Sequence, residues 1–192
     1  MVGLTRVVRR WLKKDSVRVV ALLATHNEER FITGCLEHLI GQGVEVYLID
    51  NCSADRTVEI AERYLGHGLI DIETFPRAEG VYKWRSILER KEQLATMLEA
   101  DWFMHVDADE IRLPPHSART LAQTFAEVDA QGYNAVNFLE FTFVPTREAP
   151  DHDHPLGTCA QRGLSGTAQD QVGSRASRRT PHRWLASALW TS

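Results

Sequence analysis

Two aspartates one residue apart, Asp107 and Asp109, are the residues of this sequence best placed to do chemistry. They follow the largely apolar run 102–106, which is typical of a buried strand, and Glu110 comes next. Side chains two residues apart in an extended chain face the same way, so both carboxylates would point together if the strand continued through them. Because like charges repel, such a pair favours a hard cation with oxygen ligands, Mg²⁺ or Mn²⁺. The alternative is a solvated acidic turn after a strand.

Two more polar clusters follow apolar runs. The run 19–24 gives way to the segment 25–29, and the run 44–49 gives way to the segment 50–55. If the strands are parallel, their carboxyl ends meet at one edge of the sheet, where ligands of open α/β sheets bind. All three polar clusters are therefore expected around one crevice.

Alternating strand and helix patterns predict the elements that carry these clusters. Besides the strand before Asp107, apolar runs predict four strands, at residues 19–24, 44–49, 69–75 and about 133–144. Helical spacing of apolar residues predicts helices at residues 31–40, 58–65, 84–98 and about 114–128. Strands that alternate with helices of this length indicate a doubly wound, mostly parallel α/β sheet.

Some polar residues beside these elements are expected to be structural. Asn27 can cap the first helix, and the segment 114–117, with two prolines and a serine, is expected to start the last one. Asn51, Ser53 and Asp55 are expected to cap the second helix and to shape its loop.

The two ends of the chain differ from its middle, which predicts three parts, at residues 1–16, 17–150 and 151–192. Residues 4–14 place apolar and basic side chains on opposite faces of a helix. This pattern favours peripheral contact with an anionic membrane surface, or a short helix packed on the domain. Residues 156–192 hold five arginines and one aspartate and lack Glu, Ile, Phe and Tyr. We expect this tail to be disordered, or the product of a shifted reading frame, and to lie outside the fold.

Composition narrows the classes of function. A net charge of −4 gives no reason to expect a nucleic-acid partner. Cys35, Cys52 and Cys159 are few and not spaced for a metal, which suits the reducing cytoplasm. Neither a signal peptide's apolar core nor a run long enough to span a bilayer occurs. The glycine-rich fingerprint of NAD-binding proteins and the P-loop are also absent from the sequence. The carboxylates, amides and hydroxyls of the three polar clusters instead suit a nucleotide diphosphate bound together with a cation.

The segments 24–29, 50–57 and 107–110 together resemble family 2 glycosyltransferases with the GT-A fold, in the version whose Asp-x-Asp motif reads Asp-Ala-Asp-Glu. The resemblance covers residues 17–144. It implies transfer of a sugar from a nucleotide-sugar donor, usually a UDP-sugar, with Mn²⁺ or Mg²⁺ as cofactor. The acceptor would be a glycan, lipid or protein, in cell-surface polysaccharide or glycoconjugate synthesis at the inner face of the membrane.

The resemblance also implies roles for individual residues. Donor binding would involve Thr25, His26, Asn27, Glu29, Asp50, Arg85 and Asp107. Asp50 would accept a hydrogen bond from the ring N–H of the base, and Glu29 would lie near the ribose. Arg85, in the cluster 82–85, would bring positive charge to the diphosphate or would remain a solvated helix start.

The metal and the catalytic residues fall in the acidic motif. Asp107 and Asp109 would hold the metal, with Asp109 as its principal ligand. Asp109 and Glu110 are the candidate catalytic residues, and Glu110 would face the acceptor or orient the loop. His152 and His154 would supply a late metal ligand or belong to a polar loop.

The sequence departs from the family at the catalytic base. Inverting members need a carboxylate to deprotonate the acceptor hydroxyl, and none of the candidates Glu140, Glu148, Asp151 and Asp153 lies in a recognisable motif. A non-catalytic remnant that binds nucleotide-sugars is therefore an alternative. A phosphatase of the haloacid-dehalogenase type would carry Asp-x-Asp on its first strand, and a nucleotidyltransferase would need a glycine-rich, basic first loop.

Overall fold

The computed structural model describes residues 17–77, 83–138 and the backbone of 184–187. Its strands are β1 (Val19–Thr25), β2 (Glu45–Asp50), β3 (Leu69–Thr74), β4 (Trp102–Asp107), β5 (Ala135–Phe138) and β6 (Trp184–Ser187). Its helices are α1 (Ile32–Gly41), α2 (Thr57–Glu62), α3 (Trp84–Met97) and α4 (Leu121–Ala130). The basic segment 1–16 and the candidate bases between residues 140 and 153 lie outside the described residues, as do His152 and His154.

The six strands form one parallel sheet in the order β3-β2-β1-β4-β6-β5. The chain builds the sheet outward from β1 through β2 to β3, and then crosses to the other side of β1 to place β4. The predicted parallel α/β architecture is confirmed. The point where the strand order reverses lies between β1 and β4, and this is where such sheets bind ligands.

Helices cover both faces of the sheet, which explains the continuous apolar runs of its central strands. On one face, Val19, Ala21 and Leu23 of β1 pack in a core with α1, α2 and α4. On the other face, Val20 and Leu22 pack against Leu94 and Ala95 of α3. The predicted doubly wound arrangement is therefore confirmed, and α3 is the helix that lies on the second face.

Two helix starts differ from the predictions. Asn27 does not cap α1, which begins after Phe31 without a side-chain cap. Asn27 instead has a φ of 58°, and its side-chain oxygen accepts a hydrogen bond from the Ala54 amide across the rim.

The segment 114–117 does not start α4. The first turn of α4 is fixed by a capping box in which Thr120 and Gln123 exchange hydrogen bonds between side chain and backbone. A threonine followed three residues later by glutamine satisfies two free amides at once. This stronger cap places the start after the prolines.

The last two strands bear on the predicted boundaries. The strand expected over residues 133–144 is present as β5, and residues 139–144 lie outside the description. β6 lies between β4 and β5, paired with both. The expectation that the tail lies wholly outside the fold is therefore wrong for residues 184–187. The domain boundary near residue 150 stays a prediction. In the part of the chain that the structure describes, no helix has both the length and the apolarity to cross a membrane.

Candidate functional site

Strand register brings the predicted residues to one level of the sheet. Thr25 at the end of β1 is paired with Asp50 at the end of β2, and Ala24 is paired with Asp107 at the end of β4. These carboxyl ends flank the reversal point of the sheet, where the loops that follow must separate and leave a crevice. The structure therefore brings Thr25, Asp50 and Asp107 together, as the sequence predicts.

Two loops above these strand ends are joined by hydrogen bonds. The Asn27 amide donates to Ser53 Oγ over 2.9 Å, and the Ala54 amide donates to Asn27 Oδ1 over 2.7 Å. The Glu29 amide donates to Asp55 Oδ2 over 3.0 Å. Asp55 also accepts at 3.0 Å from the amide of Thr57 at the start of α2. The expectation that Ser53 and Asp55 shape this loop is confirmed. The expected cap is wrong, because α2 begins after Arg56 without a side-chain cap and Asn51 donates to the Phe75 carbonyl instead. The joined loops form one wall of the crevice expected at the strand ends.

Asp50 lies at the base of this wall with only 3% of its surface exposed. Its carboxylate accepts from the Ser53 amide, at 3.1 Å to Oδ2 and 3.3 Å to Oδ1. One donor does not exhaust the lone pairs of a carboxylate. Asp50 therefore keeps the capacity to accept a further hydrogen bond from a ligand.

Several buried polar atoms at the rim have no hydrogen-bond partner among the described residues. They are Thr25 Oγ1, His26 Nδ1, Asn51 Oδ1 and Arg77 Nε. Arg77 donates to His26 Nε2, so that nitrogen is an acceptor and the neutral ring carries its proton on Nδ1. Buried polar groups are normally paired, so unpaired donors and acceptors concentrated at one rim are a sign of a polar ligand.

The acidic motif is a turn and not a continued strand. β4 ends at Asp107, the Glu110 amide donates to the Asp107 carbonyl over 3.1 Å, and Ala108 is buried while Asp109 is exposed. The extended backbone expected through Asp109 is therefore wrong, because this turn closes directly after the strand. The two aspartates share the loop but not a strand face.

Negative charge nevertheless accumulates at this loop. Burial raises the pKa of Glu28 above its ordinary value, and the charges of Asp109, Asp107 and Asp55 raise it further. Burial also raises the pKa of Asp107; Lys91 opposes this shift and Asp109 adds to it. Such a field attracts cations.

The available ligands set a limit on how a metal would be held. Within residues 17–77, 83–138 and 184–187, no group of three or more His, Cys, Asp or Glu side chains is arranged to hold a metal ion. Two carboxylates, on Asp107 and Asp109, are a small set of hard oxygen donors. This set fits Mg²⁺ or Mn²⁺ where phosphate oxygens and water complete the coordination.

Glu110 is held within the protein. Its Oε2 accepts from the Asp107 amide over 3.2 Å and from the Arg112 guanidinium over 2.6 Å. Burial raises the pKa of Glu110, and Arg112 partly offsets that effect. These contacts support the loop-orienting role for Glu110, because both of its polar partners belong to its own loop.

Comparison with known proteins identifies the family. Residues 21–136 match Glycosyl transferase family 2. The chain belongs to this family. The match confirms the resemblance carried by the three polar segments.

Solved structures show similarity to this chain at low sequence identity. The chain is similar to two crystal structures of S. aureus TarS 1–349, one of them in complex with UDP. The sequence identities are 18% and 22%, the TM-scores are 0.45 and 0.48, and the matches cover 67% and 70% of this chain. The chain spans 38% of the TarS chain in each case. No curated protein sequence matches the present chain.

The remaining predicted donor residues of this family 2 glycosyltransferase make exposed or structural contacts. Arg85 is on the first turn of α3, largely exposed, and forms an ion pair of 3.1 Å with Glu89. Glu29 Oε2 accepts from the Arg56 amide over 3.0 Å. Their roles at the diphosphate and the ribose stay predictions. Tyr82 lies outside the described residues.

A buried lysine of the glycosyltransferase was not predicted from the sequence. Lys91 is 2% exposed, and its Nζ lies 2.7 Å from His105 Nδ1. Burial lowers the pKa of Lys91 to about 8, and burial together with Lys91 lowers the pKa of His105 to about 4. A sequence signal does exist: Lys91 interrupts the apolar stripe formed by Ile87, Leu94 and Ala95 at helical spacing.

Proposed function

We propose that this glycosyltransferase binds a UDP-sugar together with Mn²⁺ or Mg²⁺ and transfers the sugar to a glycan, lipid or protein acceptor. The observation that carries the proposal is the shared level of Thr25, Asp50 and Asp107 beside the reversal point of the sheet. Family membership supplies the reaction class.

The uridine would bind between the joined loops and the ends of β1 and β2. Asp50 is the acceptor for the ring N–H of uracil, because its buried carboxylate retains free lone pairs. Thr25 and His26 offer unpaired polar atoms to the nucleoside, and Asn27 and Glu29 hold the loop that encloses it. Each group is of the type that reads a base or a ribose by hydrogen bonds.

The diphosphate would bind at the turn after β4. Asp107 and Asp109 would hold the metal ion, which when bound stabilises the negative charge that develops on the departing diphosphate. Arg85, at the start of α3, is the exposed cation proposed to lie near the phosphates. Asp107 is the half-buried member of the pair, at the end of β4, and Asp109 is the exposed member, on the turn that follows.

We propose cytoplasmic synthesis of a surface polysaccharide or glycoconjugate, with residues 4–14 in peripheral contact with the membrane. The basic and apolar faces of that segment support such contact. The catalytic base is proposed among Glu140, Glu148, Asp151 and Asp153, the first four acidic residues that follow β5 in the chain.

Isothermal titration with UDP and UDP-sugars, with Mn²⁺ or with EDTA, tests the donor site. We expect binding that requires the metal, and we expect Asp109→Asn to remove most of the affinity while the circular dichroism spectrum is unchanged. Glu62→Gln is the control, since Glu62 is an exposed carboxylate at the far end of α2. Equal binding by the parent and Asp109→Asn, or by the parent in EDTA, would show that the metal role is wrong.

Turnover separates a transferase from the alternative of a donor-binding remnant. The remnant would bind UDP-sugar with metal and release no UDP in the presence of acceptor extracts or water. A transferase releases UDP with a rate that depends on Mn²⁺. Once the titration has detected donor binding, measurement of UDP release therefore distinguishes a transferase from a donor-binding remnant.

A further inference from the structure

We propose that Lys91 and His105 are positioning residues that hold the Asp107 carboxylate in place from behind the site. This inference rests on the proposed donor function, in which Asp107 contacts the metal and the ribose. Lys91 would not touch the donor, because it is buried between α3, from which it projects, and the sheet, and its described contact toward the site is the His105 ring.

Strand alternation places this pair directly behind the aspartate. Phe103 of β4 packs in the core on the α3 face of the sheet, and residues two and four positions later in the strand share that face. His105 and Asp107 therefore both lie on the side covered by α3. Lys91 projects from α3 to His105 Nδ1 at 2.7 Å.

The lysine determines which nitrogen of the histidine carries the proton. An ammonium group can only donate, so His105 Nδ1 must accept and the neutral ring must carry its proton on Nε2. His105 Nε2 lies 3.8 Å from Asp107 Oδ1, beyond hydrogen-bond distance, so its N–H acts on the carboxylate as a nearby dipole. The Trp84 ring packs edge-on against His105 at 5.7 Å and limits rotation of the imidazole.

The burial of Lys91 is a second, independent observation. Among the described residues its hydrogen-bond partner is an imidazole and not a carboxylate, and a buried cation without a paired anion is unfavourable. The acidic groups Asp107 and Glu110 act on Lys91 only through space. The ammonium charge of Lys91 faces the loop where the anionic donor would bind. Its hydrogen bond to His105 also fixes the imidazole ring that orients Asp107. Groups that orient ligands in this way affect metal affinity by roughly 10–100-fold.

Nitrogen NMR of the histidine ring tests the pair without any ligand. In uniformly ¹⁵N-labelled protein we expect His105 to be the Nε2–H tautomer, with its signals identified by their loss in His105→Gln. Lys91→Met should shift His105 toward the Nδ1–H tautomer, while Glu92→Met, an exposed position on the same helix, should leave it unchanged. An Nδ1–H tautomer in the parent, or an unchanged Nε2–H tautomer in Lys91→Met, would overturn the proposal.

Affinity for UDP with Mn²⁺ tests whether the orientation matters. We expect Lys91→Met to weaken this affinity by about tenfold. If Lys91→Met does not fold, the pair His105→Gln and His105→Phe makes the same test. Glutamine keeps a donor near the Nε2 position and should bind close to the parent, whereas phenylalanine keeps the Trp84 contact, lacks the donor and should bind about tenfold more weakly.

Different outcomes would contradict the positioning role of Lys91 and His105 and the donor-binding function. Equal affinity of the glutamine and phenylalanine variants would overturn the positioning role even where the parent binds UDP. A parent that does not bind UDP with Mn²⁺ would overturn the donor function on which the role depends, whatever tautomer the NMR spectrum shows.

Discussion

Asp50 is the buried carboxylate that we propose sets the choice of nucleotide. It is 3% exposed and accepts only the Ser53 amide among the hydrogen bonds that the structure describes. We expect Asp50→Ala to weaken every uridine nucleotide by about 1–3 kcal/mol, because the ring N–H would lose its acceptor in a buried setting.

Pyrophosphate with Mn²⁺ provides the comparison for Asp50, since it lacks the base. Its affinity should be nearly the same in Asp50→Ala and the parent, as measured by titration calorimetry. If pyrophosphate and UDP lose equal affinity, Asp50 supports the loop through Ser53 and does not read the base.

Some residues of the site could be predicted and others could not. Asp50 and Asp107 end apolar runs, so their place at the rim follows from strand topology alone. The exposed position of Asp109 could not be predicted, because it depends on the turn closed between Glu110 and Asp107. Lys91 could not be predicted because lysines are rarely buried. The local signal for its burial is its position in an apolar stripe of α3.

At the scale of elements, apolar periodicity located the strands well and the helix starts poorly. The strands β1 to β4 agree with prediction to within a residue or two at each end. The apolar runs of β1, β2 and β4 are largely buried, as expected for strands covered on both faces, whereas β3 is an edge strand that Pro76 follows closely. The start of α1 differs from the prediction because Asn27 is bonded across the rim to Ala54 and not to its own helix, a long-range contact that local sequence does not show. The start of α4 is set by a local capping box of Thr120 and Gln123, whose spacing is present in the sequence and outweighs the proline signal.

The capping box of α4 gives a prediction at this scale. Thr120→Ala removes the side-chain oxygen that accepts from the Gln123 amide at 3.2 Å, and we expect a loss of about 1 kcal/mol in the free energy of unfolding. Urea denaturation measures the change. Thr33→Ala is the matched control, because Thr33 is exposed within α1 and its replacement should be neutral or slightly stabilising. Similar losses in both variants would argue against a specific cap.

For the molecule as a whole, the acidic loop lowers stability in the absence of a cation. The pKa values of Glu28 and Asp107 are raised, first by burial, so the folded state binds protons more strongly than the unfolded state. The stability from these groups is fully present below their unfolded pKa values, near about pH 4, and is lost as the pH rises through the folded values. At neutral pH the charged carboxylates therefore destabilise the fold.

Asp109→Asn should relieve part of this repulsion. Without metal at neutral pH we expect its melting temperature to exceed that of the parent by about 1–2 °C, because the charge of Asp109 acts on both Glu28 and Asp107. The gain should shrink near about pH 4, where the neighbouring carboxyls bind protons. Calorimetry with Glu62→Gln as control tests this. A variant less stable than the parent at neutral pH would indicate that Asp109 has a structural role.

The position of β6 has a consequence for synthesis on the ribosome. β1 to β4 pair with one another in the sheet and already carry Thr25, Asp50 and Asp107 at their ends. Among the described strands, β5 joins the sheet through β6, whose first residue, Trp184, lies 46 positions after Phe138, the last residue of β5. Until β6 has been translated, β4 and β5 both lack it as a neighbour, and an open strand edge is the kind of surface on which nascent chains associate. The half of the sheet formed by β1 to β4 can thus form during elongation, whereas the pairing of β6 with β4 and β5 must wait until Ser187 has left the exit tunnel.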